Sequence, residues 1–287
     1  MNEVEEKPWR KLLWVKQPYP DNYVDVSFLS QLKRNTNVRP YSYWTLTADS
    51  SVILLHLTSV ALFGETFVGI YNRGWNPGWI VSCSTVLTVA GVVVWDLLNP
   101  KGRHDRATTL KSSFLILFTI LALSPVLKSL TQSTSSDSIW SLACWLCFAN
   151  ICFHDYSFVP RKEFGPMLST NLALSAAIVL ASRLPTTLSV FCFVLFSIQL
   201  FGVFPSFALW VRMTYSKCHW VLLISMIFIT DLGLVLLGGG AALVAWVSIQ
   251  ILVCFGLPGW LLALQKYKNE IQGPWDPAKP VLKSQSK

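Results

Sequence analysis

Charge is what this sequence has least of. Lys, Arg, Asp and Glu together make up 13% of its 287 residues, against roughly 25% in an ordinary soluble domain. Hydrophobic residues make up 53%, and the mean hydropathy is +0.48. A soluble enzyme would need a far more charged surface, so the composition predicts a polytopic all-α protein that folds in a lipid bilayer.

Motifs for nucleotide and metal chemistry are missing as well. The sequence has no Asp-x-Asp, no glycine-rich strand-turn-helix fingerprint, no Gly-x-Ser-x-Gly and no His-Glu-x-x-His. The longest segment outside the apolar spans, residues 1–46, is too short for an α/β nucleotide-binding domain. We therefore expect no catalytic residue, no metal and no cofactor in this chain.

The basic excess does not point to nucleic acid. The net charge is +8, but no basic stripe with interleaved aromatics accompanies it, so we expect no nucleic-acid partner. The N-terminal segment also contains no apolar run typical of a cleavable signal peptide. We expect the first membrane span to serve as the insertion signal.

Eight apolar segments dominate the rest, each near the ~20 residues that a bilayer requires. They are residues 47–70, 79–98, 112–130, 138–153, 167–183, 187–209, 219–237 and 240–264. The predicted organisation is an N-terminal segment (1–46), a bundle of about eight transmembrane helices (47–264) and a C-terminal tail (265–287). Within the first, Trp9–Lys16 has the pattern of an interfacial helix or of an arm packed on the bundle, and Phe28–Arg39 is predicted to form a short helix.

The basic residues alternate with these spans. With eight spans, 20 of the 23 Lys and Arg residues fall on one side of the membrane. Positive charge accumulates on the cytoplasmic side, so this distribution predicts that both termini are cytoplasmic.

Four charged residues lie in or at the ends of apolar spans, all in the predicted luminal half: Glu65, Lys128, Arg183 and Asp231. Two acids and two bases at similar depth favour ion pairs within the bundle or snorkelling of these side chains to the interface, and the alternative is a polar cavity for part of a lipid headgroup or an ion. His56 lies deep in the first span. No second His, Cys or carboxylate stands at helical spacing from it, so we interpret it as a packing residue rather than a ligand.

A second set of candidates is predicted to face the cytoplasm and to contact a lipid headgroup or a partner. These residues are Lys101, Arg103, Arg106, Lys111, Asn150, His154, Asp155 and Trp275. The four bases would attract an anionic phosphatidylinositol headgroup, but ordinary positive-inside usage explains them equally well. An ordinary polar helix end likewise explains Asn150, His154 and Asp155.

Four strings, in order along nearly the whole chain, resemble the PIG-C family, the C subunits of phosphatidylinositol N-acetylglucosaminyltransferase. They are Gln17–Asp25 (QPYPDNYVD), Ser124–Thr131 (SPVLKSLT), Ala181–Pro185 (ASRLP) and Asn269–Asp276 (NEIQGPWD). The resemblance implies a multispanning protein of the endoplasmic reticulum. It implies a non-catalytic member of the complex that transfers N-acetylglucosamine from UDP-N-acetylglucosamine to phosphatidylinositol, the first step of glycosylphosphatidylinositol anchor synthesis.

In complexes of that family, catalysis is attributed to the A subunit, and the other partners are the H, P, Q and Y subunits. The resemblance implies these partners here, and it implies that the chain helps to position phosphatidylinositol. It identifies no catalytic residue in this chain. Two alternatives stay open. One is a multispanning lipid or solute transporter, and the other is a membrane-embedded enzyme using His56, Glu65 or Asp231.

Overall fold

The computed structural model describes residues 10, 14–20, 22–23, 33–35, 41–98, 106–130, 133–157, 165–268 and 271–272. Within these ranges the chain forms ten α-helices, two π-helical turns and two short strands. The helices are α1 (Tyr43–Arg73), α2 (Pro77–Leu98), α3 (Arg106–Ser129), α4 (Ser136–Phe153), α5 (Gly165–Ala181), α6 (Thr187–Ile198), α7 (Phe204–Thr214), α8 (Ser216–Leu236), α9 (Gly240–Ile251) and α10 (Leu257–Gln265). The π-helical turns Gln199–Val203 and Leu252–Gly256 join α6 to α7 and α9 to α10.

The helical membrane architecture predicted from the sequence is confirmed. Seven helical segments of the described chain are long and apolar enough to cross a membrane, and α6 with α7, like α9 with α10, counts as one of them. One further apolar helix, Met167–Ala181 within α5, is shorter than these seven. It corresponds to the fifth predicted span, residues 167–183. Pro125 lies inside α3, so this proline does not end the helix.

The residues between Trp44 and Pro258 form one compact unit, and α1 is the helix around which it packs. Phe63 and Phe67 of α1 are 1% and 2% exposed. Phe63 stacks on Phe193 of α6 with 5.1 Å between ring centroids, and it meets Phe201 edge-to-face at 5.4 Å. No residue of α2 is buried, by contrast. A helix that is apolar but unburied faces lipid or another protein.

The second unit consists of residues up to Tyr43 and from Gly259 onward. In it, Lys33–Arg34 pairs antiparallel with Ile271–Gln272 in a two-residue ladder. The predicted helix Phe28–Arg39 is therefore wrong at its centre, since Asn35 after the strand has a φ of 55°. Arg10 and residues 14–16, which are described, are not helical. The rest of the proposed interfacial helix lies outside the described residues.

Candidate functional site

A cavity of about 700 Å³ lies within the first unit. Its walls come from the middle of α1, the residues after α4, the start of α5, the π-helical turn Gln199–Val203 with α7, and the start of α8. The connections between α4 and α5 and between α7 and α8 are predicted to be cytoplasmic. The polar or titratable side chains in its wall are His56, Ser59, His154, Asp155, Tyr156, Ser157, Thr170, Asn171, Ser206, Arg212 and His219.

A buried hydrogen-bond network centred on Asn150 forms the deeper polar part of this site. Asn150 is 1% exposed. Its Nδ2 donates to the carbonyl oxygen and to Oγ of Ser169 on α5, both at 2.8 Å, and its Oδ1 lies 3.0 Å from His56 Nε2. A buried amide whose nitrogen and oxygen are both bonded fixes its neighbours in one arrangement. The network therefore ties α1, α4 and α5 together at the cavity wall.

His154 and Tyr156, just beyond the end of α4, complete that wall. The His154 ring stacks on His56 with 3.8 Å between centroids, and its Nδ1 is 3.3 Å from Ser169 Oγ. Burial lowers the pKa of His154, and the neighbouring Asp155 offsets this in part. Burial raises the pKa of Tyr156, whose hydroxyl donates to Ile151 O at 2.8 Å.

A second polar cluster joins the beginning of α8 and the end of α7 to α1. Arg212 Nη2 forms an ion pair with Asp49 Oδ1 at 3.3 Å, and Nη1 donates to Ser51 Oγ at 3.2 Å. His219 Nε2 lies 2.8 Å from the same Ser51 oxygen. Ser51 and His56 are five positions apart on α1, a rise of about 7.5 Å along the helix. Both clusters nevertheless reach one cavity, since His56, Arg212 and His219 all line it.

One hydrogen bond fixes an imidazole proton in this site. Asn150 Oδ1 can only accept, so His56 carries its proton on Nε2. Ser51 Oγ accepts from Arg212 Nη1 and lies 2.6 Å from Ala48 O and 2.8 Å from His219 Nε2. The His219 Nδ1 atom is buried and has no hydrogen-bond partner within the described residues.

Ser169 Oγ lies 3.1 Å from Asn150 O and 3.3 Å from His154 Nδ1, so its one proton serves one of these two atoms. Each neutral imidazole has one nitrogen that donates and one that accepts, and in His56 the acceptor is Nδ1. The site therefore contains both donors and acceptors for a ligand.

The π-helical turn Gln199–Val203 has an identifiable cause and a consequence for the cavity. Pro205 has no amide hydrogen to donate to the Phe201 carbonyl, which accepts instead from Thr170 Oγ1 at 3.5 Å. Gln199 is held on the opposite side by Ser84 and Thr85 of α2, at 2.6 and 2.8 Å. Turns of this kind occur frequently at functional sites, and this one places Phe201 and Gly202 in the cavity wall.

Three of the predicted cytoplasm-facing candidates meet at this cavity: His154 and Asp155 line it, and Asn150 holds the ring of His56 in its wall. The remaining five are elsewhere or are not described. Lys111 is exposed on α3, which begins at Arg106. Lys101, Arg103 and Trp275 lie outside the described residues, as does the side chain of Arg106.

The four charged candidates in the spans contact other groups instead of forming the expected ion pairs with one another. Lys128 Nζ donates to the carbonyl oxygen of Pro185 at 2.8 Å, and Arg183 donates to that of Thr134. Glu65 is 6% exposed and interacts with a second acid, Asp231, which accepts from Gln250 at 2.8 Å. The bases thus donate to backbone carbonyls in the turns that precede α6 and α4.

Sequence reasoning missed the contributions of Ser51, Ser169, Tyr156, Arg212 and His219. In the sequence Arg212 is one of the basic residues counted to predict membrane topology. Its burial is visible only in the structure, where its side chain is 12% exposed. The interpretation of His56 as a packing residue rests on the lack of a partner at helical spacing. Its neighbour His154 lies just beyond the end of a different span, so no local pattern connects the two.

His154 makes stability depend on pH. Because its pKa is lower in the folded protein, the unfolded chain binds a proton that the folded chain does not as pH falls below about 6.5. We expect the unfolding free energy of the purified chain in detergent to fall by up to ~1.4 kcal/mol per pH unit between about pH 7 and pH 5.5. The fall is measured as a lower melting temperature. His154→Phe keeps a ring against His56 and should make this dependence smaller. Equal slopes in the two proteins would contradict the assignment.

Comparison with known proteins gives one consistent result. The model of a family named GPI2 and described as phosphatidylinositol N-acetylglucosaminyltransferase matches residues 9–276. The GPI2 subunit of this transferase from Schizosaccharomyces pombe is 39% identical to the chain, over 96% of the chain and 88% of its own length. The C subunit of the Homo sapiens transferase is 31% identical, over 97% of the chain and 95% of its own length. A putative C subunit from Dictyostelium discoideum is 35% identical, over 97% of the chain and 81% of its own length. No solved structure matches.

Proposed function

This chain belongs to the GPI2 family of phosphatidylinositol N-acetylglucosaminyltransferase subunits, and from that premise we propose that it is a non-catalytic membrane component of the complex. That complex transfers N-acetylglucosamine from UDP-N-acetylglucosamine to phosphatidylinositol, the first step of glycosylphosphatidylinositol anchor synthesis. The observation that carries the proposal is the extent of the match, which includes all eight apolar helical segments of the described part of the chain. The comparisons give no support to the transporter alternative.

The finer parts of the proposal concern partners and place. We assign the chain to the endoplasmic reticulum membrane with both termini cytoplasmic, and its partners are the catalytic A subunit with the H, P, Q and Y subunits. The unburied, apolar helix α2 supports a role in assembly, because such a face is covered by lipid or by another protein. The distribution of Lys and Arg supports the cytoplasmic termini.

Affinity purification tests the role of the chain. We expect the tagged chain, isolated in mild detergent, to bring with it an activity that forms N-acetylglucosaminyl-phosphatidylinositol from radiolabelled UDP-N-acetylglucosamine. The chain freed of its partners should have none. Activity of the isolated chain would overturn the non-catalytic role, and a pull-down without activity or other subunits would overturn membership of the complex.

Reporter tags test the orientation independently. We expect acceptor sites for N-glycosylation, fused through short linkers to either end, to stay unmodified in microsomes. The same acceptor inserted in the turn between α3 and α4 should be glycosylated. Modification at one terminus would contradict the predicted even number of spans.

A further inference from the structure

We propose that the cavity between α1, α5, α7 and α8 binds the headgroup of phosphatidylinositol, the acceptor lipid of the transferase. This inference rests on the proposed function, since it assigns one of the two substrates of the complex to a site in this chain. The nearer alternatives are the nucleotide-sugar donor and an unselective phospholipid site. Hydrogen bonding, charge and shape each separate the three.

The hydrogen-bonding capacity of the site fits a polyol. His56 donates from Nε2 to Asn150 Oδ1, so its Nδ1 accepts, and the neutral imidazoles of His154 and His219 in the same wall each contain one acceptor nitrogen. Within the described residues His219 Nδ1 is a buried atom without a hydrogen-bond partner, a state that is unfavourable by about 1–3 kcal/mol. The inositol ring carries five free hydroxyl groups, each of which can donate, whereas phosphatidylcholine has no donor in its headgroup. A donor-rich ligand therefore completes the site.

The charges in the wall fit a single phosphodiester better than a diphosphate. Among the described lining residues, Asp155 is the one carboxylate and Arg212 the one permanent cation, and Arg212 is already paired with Asp49. A nucleotide diphosphate brings at least two negative charges and normally meets several cations or a metal ion. Phosphatidylinositol brings one negative charge, so it is repelled less than a diphosphate by a wall that holds one carboxylate and one cation already paired.

The remaining wall is suited to a lipid. Apolar side chains of α1, α7 and the π-helical turn, among them Leu55, Phe201 and Leu209, line most of the cavity. Met167 of α5 and Met213 of α7 line it as well and are 73% and 61% exposed. Methionine adapts its shape to flexible apolar ligands. A volume of about 700 Å³ holds an inositol phosphate and the start of the acyl chains.

Photocrosslinking in the purified, assembled complex tests the proposal. The probe is phosphatidylinositol with a diazirine near the glycerol, and its site is mapped by peptide mass spectrometry. We expect labelling of α5, α7 or the start of α8, suppressed by excess phosphatidylinositol but not by phosphatidylcholine or phosphatidylglycerol. Equal competition by either of these lipids, competition by UDP-N-acetylglucosamine, or labelling elsewhere would each overturn the proposal.

Two cavity variants provide a kinetic test. Gly202→Leu fills the cavity from the π-helical turn, where a new Cβ has room, and His154→Phe removes one acceptor while keeping the ring. We expect each to raise the KM for phosphatidylinositol by about tenfold, the equivalent of one lost hydrogen bond, with the KM for UDP-N-acetylglucosamine unchanged.

Val203→Leu is the matched control for these variants. It alters an exposed neighbour outside the cavity wall and should leave both constants unchanged. Co-purification of the other subunits is checked for every variant. An assembled, active complex whose KM for phosphatidylinositol does not respond to either cavity variant refutes the site while leaving the role in the complex intact. If the unmodified chain brings down no other subunits, the role in the complex is refuted instead.

Discussion

Replacement of Asn150 by leucine should be among the most destabilising single changes in this protein. It removes the donors that reach both oxygens of Ser169 and the acceptor for His56 Nε2, all at 2.8–3.0 Å. The His56 donor and the Ser169 carbonyl would then be buried without partners, at about 1–3 kcal/mol each. We expect a loss of roughly 2–4 kcal/mol, measured as a lower melting temperature in detergent and a smaller monodisperse peak in size-exclusion chromatography.

Asn171→Leu is the matched control for that change. Asn171 lies on α5 in the wall of the same cavity, but it is exposed and its side chain has no hydrogen bond with another described residue. The substitution makes the same chemical change without breaking a network, so the unfolding free energy should stay within about 0.5 kcal/mol of that of the original protein. Equal stability of the Asn150 and Asn171 variants would show that the buried network contributes nothing.

The fold was largely predictable from the sequence, because lipid imposes a simple rule on it. Every backbone polar group inside a bilayer needs an internal partner, so a long apolar run becomes a helix. The observed helix α1 begins at Tyr43, four residues before the predicted span 47–70. The prediction failed outside the bilayer, at Lys33–Arg34, where pairing with Ile271–Gln272 decides the structure over a separation that no local pattern reveals.

The candidate site was predictable only in part, for a related reason. Asn150, His154 and Asp155 stand close together in the sequence at a polar helix end, and the structure places all three at the cavity or in its supporting network. His56 belongs to the same site, but its partner Asn150 comes from α4, across 94 residues. In a soluble protein, helix periodicity would indicate which face of α1 is buried. In this chain nearly every face is apolar, so periodicity cannot tell which helices meet.

Like-charged neighbours were also beyond sequence reasoning. Charge balance suggested that Glu65 and Asp231 would each meet a base, Lys128 or Arg183. The structure instead brings the two acids together and places an oxygen of Glu65 against the backbone of Gly233. The bases bind carbonyls at the turns, as Lys128 does with that of Pro185. Net charge along a sequence limits what can pair but does not select the pairs.

The second large effect concerns glycine in α1. A Cβ built on Gly69 overlaps the six-membered ring of Trp75, which packs against this helix and whose amide donates to Gly69 O at 3.0 Å. Sequence analysis cannot find this contact, because Trp75 looks like an ordinary aromatic residue at a span end. We expect Gly69→Ala to displace the indole and to destabilise the protein by about 1–3 kcal/mol in a thermal melt.

Gly64 supplies the control on the same helix. Within the described part of the chain no neighbouring atom lies within 4 Å of a Cβ built there, so Gly64→Ala should be neutral or stabilise α1 by up to about 1 kcal/mol through helix propensity. The decisive measurement is a double-mutant cycle, because the effect of Gly69→Ala depends on the indole ring. In a Trp75→Ala background, Gly69→Ala should lose most of its effect. An undiminished effect in that background would mean that the ring of Trp75 is not what makes glycine necessary at this position.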